Sequence, residues 1–247
     1  MRAREGGRGF GSAISFLTRF PLGSAAYDGN DLARGLPFFP LAGAAVGASI
    51  ALVAIGTGRY LPPLIAAFLA VACQALVTGG LHLDGLADAA DSYGARDRQR
   101  ALEIMRDPSV GSFGTIAVVL DVGIKAAAIA ALLERSDALG PLVAATTLGS
   151  LAFLPGLLLP YAGGGTGRFL ADARPIAAIG AVAAAGIIVG FSIGLQTFAA
   201  AGIPVAVDAL WSWHCSRRLG GITGDTLGAG AELVQLAVLL TLVATLT

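Results

Sequence analysis

Residues 36–56 read LPFFPLAGAAVGASIALVAIG and carry no charged side chain. A helix needs about 20 consecutive apolar residues to cross roughly 30 Å of hydrocarbon, so this stretch reads as a membrane span. Working outward with the same window gives six more: Leu61 to Leu81, Phe113 to Leu133, Ala138 to Pro160, Pro175 to Leu195, Thr197 to Trp213 and Ala231 to Thr247. Glycines at 180, 186, 190, 194 and 202, with Pro204, blur the boundary between the fifth and sixth. The chain's 247 residues are 55% hydrophobic and 13% charged, against a usual charged share of about 25%. The mean hydropathy is +0.77. This predicts an all-α, polytopic transmembrane helical bundle of about seven spans. It would be a single catalytic domain over 1–247, whose first 35 residues form an amphipathic cytoplasmic segment.

Thirty-five glycines and only 7% aromatic residues suit closely packed helices. The composition excludes disorder, a basic nucleic-acid binder and a disulfide scaffold, and it makes membrane lipid the surrounding partner. Cys73 and Cys215 show no paired spacing and read as packing residues. The formal net charge is zero, but the charges are unevenly placed. With a cytoplasmic N-terminus, thirteen of the sixteen basic residues fall inside, Arg59 and Arg135 fall outside, and Lys125 lies within a span. Arg168 and Arg174 are among the thirteen. The same orientation brings three loops of unusual composition to one face.

The first loop, 78–114, contains TGGLHLDGLADAAD, in which Asp84, Asp88 and Asp91 are spaced i, i+4, i+7 along one helical face. Crowded carboxylates repel one another. A divalent ion with oxygen ligands, shared with substrate phosphates, is one answer, and a solvated acidic helix is the plainer one. Gly79, Gly80 and Gly85 allow close backbone approach, and His82 stands beside them as a ligand or a hydrogen-bonded structural residue. Arg96, Arg98, Arg100 and Arg106 follow; they suit a polyanionic substrate and equally suit the topology rule. The third loop, WHCSRRLGGITGDTLGAGAE, places Asp225 and Glu232 seven apart after Gly221, Thr223 and Gly224. Asp225 could instead be the N-cap of the last span. Between them lies LPYAGGGTGR, whose Gly163 to Gly165 read as a linker or a lid, and Asp121 and Lys125 are spaced to pair inside the third span.

Taken in order, TGGLHLDGLADAAD, RALEIMRDPSVGSFG, the span carrying Lys125, LPYA and RRLGGITGDTLGAGAE resemble the cobalamin synthase (adenosylcobinamide-GDP ribazoletransferase) family. FLTRFP and FFPLAGAAVGA extend that resemblance over essentially the whole chain. It implies a transferase of the inner membrane, active on the cytoplasmic face, that joins adenosylcobinamide-GDP to α-ribazole or its 5′-phosphate and releases GMP with Mg²⁺. By this likeness Asp84, Asp88 and Asp91 match the family's acidic motif, and Asp225 and Glu232 match its C-terminal one. Leu83, Ser92 and Gly163 depart from the family's usual residues. The implied roles are catalysis by Asp84, Asp88, Asp91 and Asp225, with Glu232 joining these four as Mg²⁺ ligands. Substrate binding would fall to His82, Arg96, Arg106, Lys125, Gly221, Thr223 and Gly224. Self-association into a homo-oligomer stays open.

Three rivals share some features. A CDP-alcohol phosphotransferase would carry Arg where Asp88 stands, and a membrane prenyltransferase would repeat a DxxxD motif where this chain has TGDTLGAGAE. A small-molecule transporter would carry its acids at mid-membrane, with internal repeats.

Overall fold

The computed structural model describes residues 2–20, 22, 28–135, 138–162, 173, 175–194 and 202–245. The triglycine 163–165, Arg168 and Arg174 lie outside the described residues. Helices α1 (Arg2–Leu17), α2 (Gly29–Gly35), α3 (Phe39–Gly58), α4 (Pro63–Thr78) and α5 (Leu81–Asp91) are followed by α6 (Arg98–Ile104) and α7 (Ser112–Glu134). Then come α8 (Leu139–Gly149), continued as a 3₁₀ helix over Ser150–Leu157, and α9 (Pro175–Ile193), α10 (Gly202–Leu219) and α11 (Gly224–Thr245).

Among the described residues, five helical segments are long and apolar enough to cross a membrane: Gly29–Gly58, Ser112–Glu134, Leu139–Leu157, Pro175–Ile193 and Gly224–Thr245. The second expected span is broken. Helix α4 stops at Thr78, and the helical stretch Leu81–Gly94 leaves it at 93°; counted as one span, the pair makes a sixth. Consecutive left-handed residues Gly79 (φ 65°) and Gly80 (φ 72°) make this corner, where a side chain would be strained. Helix α5, at 11 residues, is too short to span by itself and packs against α7 and α11. Residues 197–201 of the sixth expected span lie outside the described residues. Helix α10, which holds the rest, is 18 residues long but carries Asp208, Arg217 and Arg218, too many charges for a span. The last span begins at Gly224, two turns before the expected Ala231.

The core forms where small residues let helices approach. On α3, a Cβ added to Gly43 would stand 3.1 Å from Thr147 Cα, and one on Gly47 2.6 Å from the Leu142 carbonyl oxygen, so this GxxxG pair seats α3 on α8. Phe39, Ile50, Ile129, Leu132, Leu142 and Leu242 are buried around that contact. The N-terminal segment is part of the same core: Ala13, Ile14 and Leu17 of α1 are buried in it, and Arg8 donates to both Asp31 carboxylate oxygens at 3.1 and 2.6 Å. Ile176, Ile179, Val182 and Ile187 on α9 and Ile116 and Leu120 on α7 are exposed. These are surfaces that a bilayer would cover.

Candidate active site

A second, smaller cluster holds α5 in place. Leu86 and Ala89 pack with Ala101 and Met105 of α6, Leu219 of α10 and Ala229 of α11. With that side of α5 committed inward, Asp84 is exposed and Asp88 half-buried. Gly85 meets the start of α11, where an added Cβ would lie 2.8 Å from the Asp225 carbonyl oxygen. The first and third loops therefore converge. Burial, and then the like charges of Asp84, Asp225 and Asp91, push the Asp88 carboxyl up to about 7. Among the described residues Asp84, Asp88 and Asp225 form no ion pair.

The same end of the bundle also gathers the middle loop. The Ile222 amide donates to the Pro160 carbonyl and the Ala162 amide to the Ile222 carbonyl, both at 2.8 Å, so LPYA runs parallel beside GGIT. Gly221 is buried against this strand-like contact: a Cβ there would lie 2.9 Å from the Ala162 amide nitrogen. Arg218 donates to the Ser92 carbonyl at 2.7 Å and lies over the Tyr93 ring, tying α10 to the end of α5. Thr223 is the cap of α11. Its hydroxyl accepts from the Thr226 amide at 3.2 Å while the Thr226 hydroxyl accepts from the Thr223 amide at 2.8 Å. Asp225, expected as one possible N-cap, is instead in the first turn, with only a 3.5 Å contact from the Thr223 hydroxyl. Gly224 is half-buried beside it.

Several expected site residues are placed elsewhere. The Asp91 oxygens accept from the Gly111 and Gly114 amides at 2.7 and 2.8 Å, so this carboxylate caps α7. Glu232 is 1% exposed and pairs with Lys125, which also pairs with Asp121 at 3.0 Å. Lys125 is 2% exposed within this triad. His82 is buried beside Phe153. Thr223 and Gly221 serve the loop architecture. Arg96 and Arg106 are exposed and unpaired, whereas Arg100 pairs with Glu103 at 3.1 Å.

Beside Asp84 opens a cleft of about 720 Å³, bounded by the end of α1, the Gly79–Gly80 corner, α5 and the first turns of α7. That size suits a small-molecule ligand. Arg19 lines it, a residue that the sequence marked only as one more basic charge; its place in FLTRFP was the available signal.

The family model for cobalamin-5-phosphate synthase matches residues 9–243. The chain belongs to this family. By that membership it is a transferase. Three relatives named adenosylcobinamide-GDP ribazoletransferase resemble it along nearly their whole length. The protein of Novosphingobium aromaticivorans is 38% identical over 96% of this chain and 97% of its own. That of Pseudomonas savastanoi pv. phaseolicola is 40% identical over 94% and 98%, and that of Sinorhizobium medicae 37% over 92% of both. No solved structure matches. The family match sets aside the phosphotransferase, prenyltransferase and transporter readings.

Among the described residues no three His, Cys, Asp or Glu side chains are gathered closely enough to hold a metal ion by themselves. Mg²⁺ does not require that. It is commonly held by one or two carboxylates, with substrate phosphates and water completing the shell. Asp84 and Asp88, one helical turn apart and unpaired, are such a donor set, with Asp225 alongside.

Proposed function

We propose that this chain joins adenosylcobinamide-GDP to α-ribazole, or to its 5′-phosphate, releasing GMP in a Mg²⁺-assisted displacement. The observation that carries the reading is the crowding of the Asp84, Asp88 and Asp225 carboxylates, with Asp84 lining the cleft. Displacement at a diphosphate needs charge neutralisation and positioning more than covalent chemistry from the protein. Bound Mg²⁺ would supply that neutralisation on the phosphate oxygens. Asp84 and Asp88 would hold it, while Asp225 accepts the proton of the attacking ribose hydroxyl. The hydroxyl oxygen forms the new bond to the cobinamide-linked phosphorus as the bond to the GMP oxygen breaks. Arg96 and Arg106, exposed and without a partner, would neutralise the nucleotide end.

The excess of basic residues near this end favours the cytoplasmic side of the inner membrane, with lipid around the spans. The purified chain, given adenosylcobinamide-GDP, α-ribazole and Mg²⁺, is expected to release GMP and form a completed cobamide. Asp84→Asn and Asp88→Asn should each lower turnover by about 100-fold or more. Near-normal turnover in both at saturating Mg²⁺ would remove the metal role, and no product with any divalent ion would overturn the activity.

A further inference from the structure

We infer that Arg19 grips the diphosphate of the nucleotide-linked substrate from the wall of the cleft it shares with Asp84. The inference rests on the proposed activity and adds a binding residue to it. Arg19 follows the end of α1, and its backbone amide donates to the Val77 carbonyl at 2.7 Å, so the residue is fixed to the last turn of α4. Its side chain crosses Gly79 so closely that a Cβ there would collide with the guanidinium. Glycine at the corner thus serves two ends: it turns the chain and leaves room for Arg19.

Among the described residues the guanidinium has no hydrogen-bond or ion-pair partner, and Arg19 is the one cationic side chain lining the cleft. Asp84 is the one anionic lining residue. A phosphate on the metal-bearing side of such a cleft has two complementary neighbours, the ion at Asp84 and a planar fork that can pair with two phosphate oxygens at once. Val118 and Val119 supply an apolar wall for the rest of the ligand. Arg96 and Arg106 do not line this cleft, so Arg19 is placed to act on the phosphates while they act on the far end of the nucleotide.

The test compares the whole protein with Arg19→Met and Arg19→Lys, each checked for the wild-type thermal unfolding midpoint in detergent. Steady-state kinetics should show Arg19→Met raising KM for adenosylcobinamide-GDP by about 10–100-fold, the loss expected for charge-assisted hydrogen bonds. KM for α-ribazole should stay unchanged, and Arg19→Lys should fall between wild type and Arg19→Met. Unchanged KM for both substrates, a rise confined to α-ribazole, or a fall in kcat alone would each overturn the assignment. If the wild type itself gives no product, the proposed activity fails, and Arg19 is judged by equilibrium binding of GDP with Mg²⁺. Weaker binding by Arg19→Met supports the grip, and equal binding removes it.

Discussion

Asp84, Asp88 and Asp225 at the end of the bundle and Asp121 and Glu232 inside it are carboxylates of one chain in opposite settings. The first group crowds together without a cation, and Asp88 is pushed up to about 7 as a result. The second group encloses Lys125, so burial is matched by opposite charge. An acid that is buried and paired stabilises the contact between α7 and α11. Acids that are gathered and left unpaired are costly to the fold and reserve their oxygens for something that binds.

The sharpest way to break this contrast is to remove the interior cation. Lys125→Met leaves two buried carboxylates without a counter-charge and should destabilise the protein by about 3–5 kcal/mol, read as a lower unfolding midpoint in detergent. Gly114→Ala comes next. Its Cβ would press on the Asp91 carboxylate and the Ala87 carbonyl, the latter at 2.8 Å, and should cost about 1–3 kcal/mol by unseating the start of α7.

The end group responds to pH in the opposite sense to an ion-paired acid. Because the folded Asp88 pKa stands above its unfolded value, its contribution to stability is full below about pH 4 and is lost as pH rises towards 7. The metal-free protein should therefore lose stability across that window, and Asp88→Asn should flatten the profile. Adding Mg²⁺ should restore stability at the upper end, since binding favours the ionised ligand. The smallest effect is expected for Glu232→Gln. It keeps Asp121 for Lys125, so the Mg²⁺ concentration for half-maximal activity should not move; a large increase would return Glu232 to the metal site.

Much of this was legible from spacing. The i, i+4 interval correctly paired Asp121 with Lys125, and the acid-and-glycine composition of the loops marked the end of the bundle where they meet. The seven-residue intervals place acids on one helical face without placing them together. Seven residues advance a helix by about 10 Å, so residues on one face are still far apart along the axis. On α5 that distance carries Asp91 from the Asp84 end to the amides of α7, and on α11 it carries Glu232 from Asp225 into the interior to Lys125. His82 faces α11 at Gly228, where an added Cβ would lie 3.5 Å from its Cα.

The sequence by itself determined the membrane-spanning, all-helical character, because apolar length and charge density are properties of the chain, and its ordered motifs pointed to the family. Only the tertiary structure decided which acids pair with Lys125 inside the bundle and which crowd together where the loops meet. That choice depends on depth along each helix, on the corner at Gly79 and Gly80, and on which neighbour each helix end meets. Those are relations between segments distant in sequence, and no local pattern encodes them.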